Sequence, residues 1–260
     1  MANYETVTVT RHGQVALVTL NRPDSLNAFN AALRRDLLQA VQEVNDDAAI
    51  RVGVLAGAGR AFCAGADLSE VAGDDFDVEK QLNTEYKPIL MAIAEAPKPW
   101  ISAVNGAAAG VGSSFAMVCD LTLMAENAYV YQAFAAISLV PDGGATWHLV
   151  RTLGRKRAYE LIVSGEKLPA ERCRELGLCN RVVPAESLLD EALQWAQELA
   201  GKAPLALRHA KAALNFAIEQ GVADTISEEA RLQAICIASA DAREGVAAFT
   251  EKRAPQWQGK

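Results

Sequence analysis

Residues 100–120 read WISAVNGAAAGVGSSFAMVCD. From Trp100 to Cys119 this is the least polar stretch of the chain, and it is long enough to raise the question of a membrane span. Pro99 precedes it, Asn105-Gly106 interrupts it, and Ala, Gly and Ser make up much of it. A buried strand over 100–104, a turn, and a buried helix over 108–118 account for the pattern better than one long apolar helix. A strand, a glycine-bearing turn and a helix form the unit of an α/β fold.

Working outward, RVGVL (51–55) and LTLMA (121–125) read as further buried strands, with AYVY (128–131) beside the second. Upstream, residues 4–10 and 15–20 form a hairpin about His12-Gly13, and Asn21-Arg22-Pro23-Asp24 is a turn. Asn30 is placed to cap a helix whose apolar face is Leu33, Leu37, Val41 and Val44. Residues 78–95 read as a helix ending at Pro97-Lys98-Pro99, and 146–153 as a short helix stopped by Gly154. Pro169 and Gly177 bracket another at 169–176. Helical stretches at 186–200, 203–220 and 222–240 follow without intervening strands. A strand-rich front thus precedes an all-helical tail, with no Gly/Ser linker between them.

The 260 residues are 51% hydrophobic and 22% charged, which excludes a disordered, collagenous or coiled-coil chain. The net charge of −7 speaks against nucleic acid as a partner. The N-terminus MANYETVTVTRHG has no apolar h-region, so the expectation is a cytoplasmic protein without a membrane anchor. Five scattered cysteines without a CxxC, and three histidines far apart, predict reduced thiols and no metal site. His12, His148 and His209 read as structural or surface residues.

Three glycine-bearing loops carry the chemistry. Gly110-Val111-Gly112 is not a dinucleotide fingerprint, because Phe115 stands where the third glycine is needed, and it lacks the Gly-Lys-Ser/Thr of a P-loop. No GxSxG elbow marks a serine hydrolase. What remains is tight helix packing, or backbone N–H groups aimed at a ligand oxygen. AFCAGADL (61–68) and PDGG (141–144) are the other two loops, and Asp142 reads first as a cap for the helix that follows.

CAGADL, AVNGAAAGVG with MVCD, and LVPDGGATWHLVRTLG, in that order, resemble the crotonase superfamily, also called the enoyl-CoA hydratase/isomerase family. The resemblance runs from LVTLNRPDSLNAFN through KPWISAVNG and VSGEKLPAERCRELGLCNRVVP to REGVAAFTEKRAPQWQGK. It implies an α/β spiral of ββα repeats over 1–195, with a C-terminal helical trimerisation region over 196–260. The expected assembly is a homotrimer or a hexamer built as a dimer of trimers. It implies an acyl-CoA thioester substrate, with coenzyme A as part of the substrate and no separate cofactor. The thioester oxygen is expected between the backbone N–H groups of Ala66 and Val111. Ala64, Gly65, Asp67, Leu68, Gly110 and Gly112 are expected to line the CoA ester, and Phe249 and Lys252 to reach it from a neighbouring subunit.

Hydratases of the family carry two glutamates, and the matching positions here are Ser114 and Phe134. Neither side chain replaces a carboxyl that activates water. The remaining matched acid is Asp142, and the PDGG–TW context resembles 1,2-epoxyphenylacetyl-CoA isomerases, whose aspartate is the acid/base. Phe134, Ile137, Leu139 and Trp147 suggest an apolar pocket around it. The expected function is acyl-CoA isomerisation. The alternatives are a hydratase, a CoA-ester dehalogenase, which the lack of a matching His on the 86–96 helix disfavours, and a catalytically idle CoA-ester-binding homologue. The acidic run Glu70, Asp74, Asp75, Asp77, Glu79 and Glu85 reads as a solvated lid that a hydratase would have to draw on.

Overall fold

The computed structural model describes residues 4–70 and 76–260. Strands β1 (Val7–His12) and β2 (Val15–Leu20) form the antiparallel hairpin read from the sequence, although the first begins three residues later. Helix α1 (Ala31–Asp46) follows. Asn30 caps it as expected, its side-chain oxygen accepting from the Leu33 N–H at 2.9 Å. Leu33, Leu37, Val41 and Val44 are all buried. At the far end the buried Lys98 ammonium donates to the carbonyls of Val44 and Asp47 at 2.7 and 2.9 Å, satisfying acceptors that a helix leaves open. Asn30→Ala is expected to destabilise the protein by about 1 kcal/mol. A thermal melt checks this, with a fall of roughly 2–4 °C expected.

Strands β3 (Val52–Gly57) and β4 (Ala61–Cys63) open a repeating pattern. They lead through a helical run composed of α2 (Val78–Gln81), a π turn (Leu82–Tyr86) and α3 (Lys87–Ala94). Strands β5 (Trp100–Val104) and β6 (Ala107–Ala109) lead to α4 (Val111–Met117). Strands β7 (Leu121–Ala125) and β8 (Tyr129–Tyr131) lead to α5 (Ala145–Ser164). Each repeat places one strand in a larger sheet and the next in a smaller one, then returns by a helix. After β9 (Lys167–Pro169), α6 (Ala170–Glu175) and β10 (Arg181–Val183), the sheet orders are β1-β2-β3-β5-β7-β10 and β4-β6-β8-β9. Neighbours from β2 to β10 pair in parallel in the first sheet. This is the mixed α/β spiral of ββα repeats expected from the sequence.

The spiral is closely packed. A Cβ on Gly53 would fall 2.5 Å from the fully buried Trp100 ring. Helices α7 (Leu188–Ala200), α8 (Pro204–Ala217), α9 (Val222–Ala238) and α10 (Ala240–Glu251) complete the chain. The division anticipated between residues 195 and 196 falls inside α7, whose Leu188, Ala192, Ala196 and Ala200 are buried in the core.

Several local readings are corrected. The helix expected over 108–118 starts only at Val111, because Ala107–Ala109 pair with Tyr129–Tyr131 as a strand. Residues 61–63, read as loop, form β4. Gly154 does break its helix, at φ 73° and ψ 159°, but a second helical segment begins directly after it. Pro169 ends β9 and flanks α6 from outside. Among the described residues no helix is long and apolar enough to cross a membrane.

Candidate functional site

The three glycine-bearing loops converge at the N-terminal end of α4. Phe29 forms a parallel bridge with Ala66: its N–H donates to the Gly65 carbonyl at 2.8 Å, and its carbonyl accepts from Asp67 at 3.0 Å. Both bonds lie on one side of the 65–67 segment, so the intervening Ala66 N–H points to the other side. Gly65, at φ +107°, lets this segment lie against the next loop: a Cβ there would stand 3.1 Å from the Ala109 carbonyl oxygen. Gly112 is tighter still, since a Cβ would meet the Cys63 oxygen at 2.5 Å and its Cβ and Sγ at 2.8 Å.

Val111 is the first residue of α4, where the N–H has no acceptor within the helix. Among the described residues, neither this N–H nor that of Ala66 takes part in a loop or turn bond. The preceding residue is fixed from both sides. Gly110 donates to the Tyr131 carbonyl at 3.0 Å, and its own carbonyl accepts from Ser113 Oγ at 2.6 Å, which in turn accepts from Gln132. The result is two free N–H groups on adjacent, rigidly held loops. Such a pair suits an oxygen that gains negative charge.

Asp142 sits on the third loop. Gly143 and Gly144 follow it at φ +57° and +81°, a backbone region that favours glycine. A Cβ on Gly143 would lie 2.9 Å from Val111 Cγ2 and 3.0 Å from Ser114 Cβ. The Asp142 carbonyl, not its carboxylate, takes the structural bonds: it accepts from Ser114 Oγ at 3.0 Å and from the Ala145 N–H at 3.0 Å. The capping reading is therefore corrected, because the N-cap of α5 is Gly144 and no side chain caps it. The carboxylate's Oδ1 is buried without a hydrogen-bond partner. Burial pushes its pKa up to about 6, where a carboxyl can both take and return a proton near neutral pH.

The other expected site residues divide. Phe134 is buried, and its Cζ would lie 3.9 Å from a Cβ on Gly110. Ser114 is buried and spent on the Asp142 carbonyl. Asp67 is tied to Ser69 Oγ at 2.7 Å and to Arg22 at 3.0 Å; those bonds, led by the serine's, hold its carboxyl below the usual range. Trp147 lies under the Arg151 guanidinium at 4.2 Å. Ile137 and Leu139, expected in an apolar pocket, are 51% and 55% exposed. Leu68 is exposed, as are Phe249 on α10 and Lys252 just beyond it. Asp74 and Asp75 lie outside the described residues. Of the expected solvated run, Asp77 and Glu79 are exposed, whereas Glu70 and Glu85, both partly exposed, ion-pair with the buried Arg34 at 2.9 and 2.6 Å.

Sequence reading missed Asn27, Arg34 and Tyr86. Asn27 is fully buried at φ +57° and donates to the Ala58 and Ala61 carbonyls at 2.9 and 2.8 Å, joining the 22–29 segment to β4. A separate cavity of about 500 Å³ lies among α8, α9 and α10. No group of three potential metal ligands occurs among the described residues.

The enoyl-CoA hydratase/isomerase family model matches residues 10–260. A probable enoyl-CoA hydratase of Rhodobacter capsulatus is 39% identical over 99% of this chain and all of its own. The 1,2-epoxyphenylacetyl-CoA isomerase of Escherichia coli is 40% identical over 95% of each chain. Among solved structures, an enoyl-CoA hydratase from Polaromonas superposes with a TM-score of 0.93 at 34% identity, covering 97% of this chain and 99% of that one.

Proposed function

The chain belongs to the enoyl-CoA hydratase/isomerase family, and from that premise we propose that it is an acyl-CoA isomerase using one carboxyl group. The observation that carries this reading is Asp142: a half-buried carboxyl whose Oδ1 is buried without a hydrogen-bond partner, its pKa raised to about 6, on the loop packed against Val111. The thioester oxygen accepts hydrogen bonds from the Ala66 and Val111 N–H groups, and the N-terminal end of α4 adds positive potential there. Asp142 takes a proton from C2 of a 3-enoyl ester, negative charge passes to the held oxygen, and the same carboxyl returns the proton to C4. The double bond then lies between C2 and C3. The same polarised thioester serves opening of a ring epoxide.

Hydration requires one group to activate water and another to deliver a proton. Ser114 and Phe134 occupy the positions where the family's hydratases carry glutamates, and the hydroxyl of Ser114 is engaged by the Asp142 carbonyl. The names of several relatives favour a hydratase, so the assay must separate the two chemistries. Incubation with a 3-enoyl-CoA, a 2-enoyl-CoA and 1,2-epoxyphenylacetyl-CoA separately is expected to consume the first or the third, with slow loss of 2-enoyl absorbance. Rapid hydration of the 2-enoyl ester, with the other two untouched, overturns the proposal.

The CoA moiety is proposed to pass over the Ala64–Asp67 loop toward Phe249 and Lys252 of an adjacent subunit. Val222, Val246 and Phe249 stand 78%, 65% and 88% exposed. Apolar area of this kind on a helical tail supports assembly into a trimer or hexamer.

A further inference from the structure

Three buried polar atoms near the site lack a well-formed hydrogen bond among the described residues: Asp142 Oδ1, Gln132 Oε1 and the Tyr86 hydroxyl; of these, the hydroxyl alone carries a proton to donate. Tyr86 is 2% exposed. Its ring packs edge-on against Phe29 at 5.6 Å, the residue whose backbone fixes Ala66, and Phe29 stacks on Phe115 of α4 at 4.5 Å. The phenol is within electrostatic reach of both the Asp142 carboxylate and Cys63, which lies under the Gly112 contact. It therefore lies one ring behind the Ala66 segment, with the Asp142 carboxylate within electrostatic reach.

The backbone is shaped to put it there. Tyr86 is the last residue of the π turn Leu82–Tyr86, a one-turn distortion of a kind that recurs at functional sites. The turn is held by Glu85, which ion-pairs with Arg34 at 2.6 Å. Arg34 also binds Glu70 and donates to the Phe29 carbonyl, and its guanidinium lies 5.3 Å from the centre of the Tyr86 ring. Burial raises the phenol's pKa, so it keeps its proton and acts as a donor.

A buried donor without an acceptor destabilises a protein by about 1–3 kcal/mol. A hydrocarbon acyl chain in this site would leave Tyr86 unanswered, whereas an acyl group bearing an oxygen would supply the acceptor. Resting on the acyl-CoA reading above, we propose that Tyr86 is a specificity-determining residue that donates a hydrogen bond to an oxygen of the acyl group beyond the thioester, so that the substrate class is oxygenated acyl-CoA esters. No bond is made or broken in this role.

The test uses inert ligands. Titration calorimetry compares phenylacetyl-CoA with its three ring-hydroxylated isomers, on the unaltered protein and on Tyr86→Phe. The unaltered protein is expected to bind at least one hydroxylated ester roughly three- to tenfold more tightly than the parent. In Tyr86→Phe that ratio should fall to about one, with parent affinity changed less than twofold. The hydroxyl's neighbour in the protein is the Arg34 guanidinium, which offers no acceptor for the phenol proton, so the variant should melt close to the unaltered protein. An unchanged ratio, or equal weakening of every ester, overturns the proposal and leaves the isomerase reading intact. If no ester binds the unaltered protein, the acyl-CoA reading falls and this one with it.

Discussion

Asp142→Asn is expected to lower kcat for isomerisation by about 10²–10⁴-fold while leaving KM within a few fold. The amide keeps the shape of the side chain and leaves the carbonyl bonds to Ser114 and Ala145 intact, so ester binding survives while the proton carrier is gone. In the unaltered enzyme kcat/KM should rise with pH through about 6, because burial places the carboxyl's pKa there and only the ionised form abstracts a proton. The same substitution has an opposite effect on stability. The folded-state pKa lies above the usual carboxylate value of 3.8, so folding is disfavoured by the buried charge above pH 6 and not below about pH 4. The variant should therefore be more stable than the parent at pH 8, by on the order of 1–2 kcal/mol given partial solvent access, with the gain vanishing at pH 4. Melting curves at the two pH values, read beside the pH–rate profile, check both halves. A variant that keeps its turnover removes Asp142 from the chemistry.

The long elements of the fold were legible because their periodicity is strong. The apolar face of α1 and the buried strands at 100–104 and 121–125 all lie where the pattern places them. The second sheet was partly hidden: all four of its strands have three residues, too few to alternate, and β8 was legible through its Tyr-Val-Tyr run, which favours a strand. Ala108 and Ala109 read as the start of a helix, since alanine favours one locally. Pairing with β8 overrides that preference. At the site, Pro141-Asp142-Gly143-Gly144 was visible as a turn, but its sequence does not say whether the carbonyl or the carboxylate makes the local bonds. Arg34, Glu70 and Glu85 were invisible as a unit. Their pairing joins residues 36 and 51 positions apart (70 − 34 and 85 − 34), and the glutamates alone resemble a solvated acidic run. The π turn carries no motif, because tertiary contacts, rather than local preference, hold it.

Gly112→Ala should damage the enzyme through a single methyl group. The added Cβ would fall 2.5 Å from the Cys63 carbonyl oxygen and 2.8 Å from the Cys63 side chain. Real Cβ atoms do not approach backbone so closely, so one of the two loops must move. The 63–67 segment is fixed by the Ala64 bond to the Leu26 carbonyl and by the two bonds to Phe29. The 110–112 segment is fixed by Tyr131 and Ser113. With both sides anchored, the strain falls on the spacing between the Ala66 and Val111 N–H groups. Loss of one such donor lowers kcat by about 10²–10³-fold, and overpacking of this kind destabilises by about 1–3 kcal/mol. Steady-state kinetics with a thermal melt separates the two: a folded variant with a modest fall in melting temperature and a large fall in kcat is expected. Cys63→Ala in the same chain removes the thiol contact but leaves the carbonyl contact at 2.5 Å, so it should recover some stability and little turnover. Full recovery of kcat in that double variant would place the clash on the cysteine side chain and detach catalysis from the spacing of the two backbone donors.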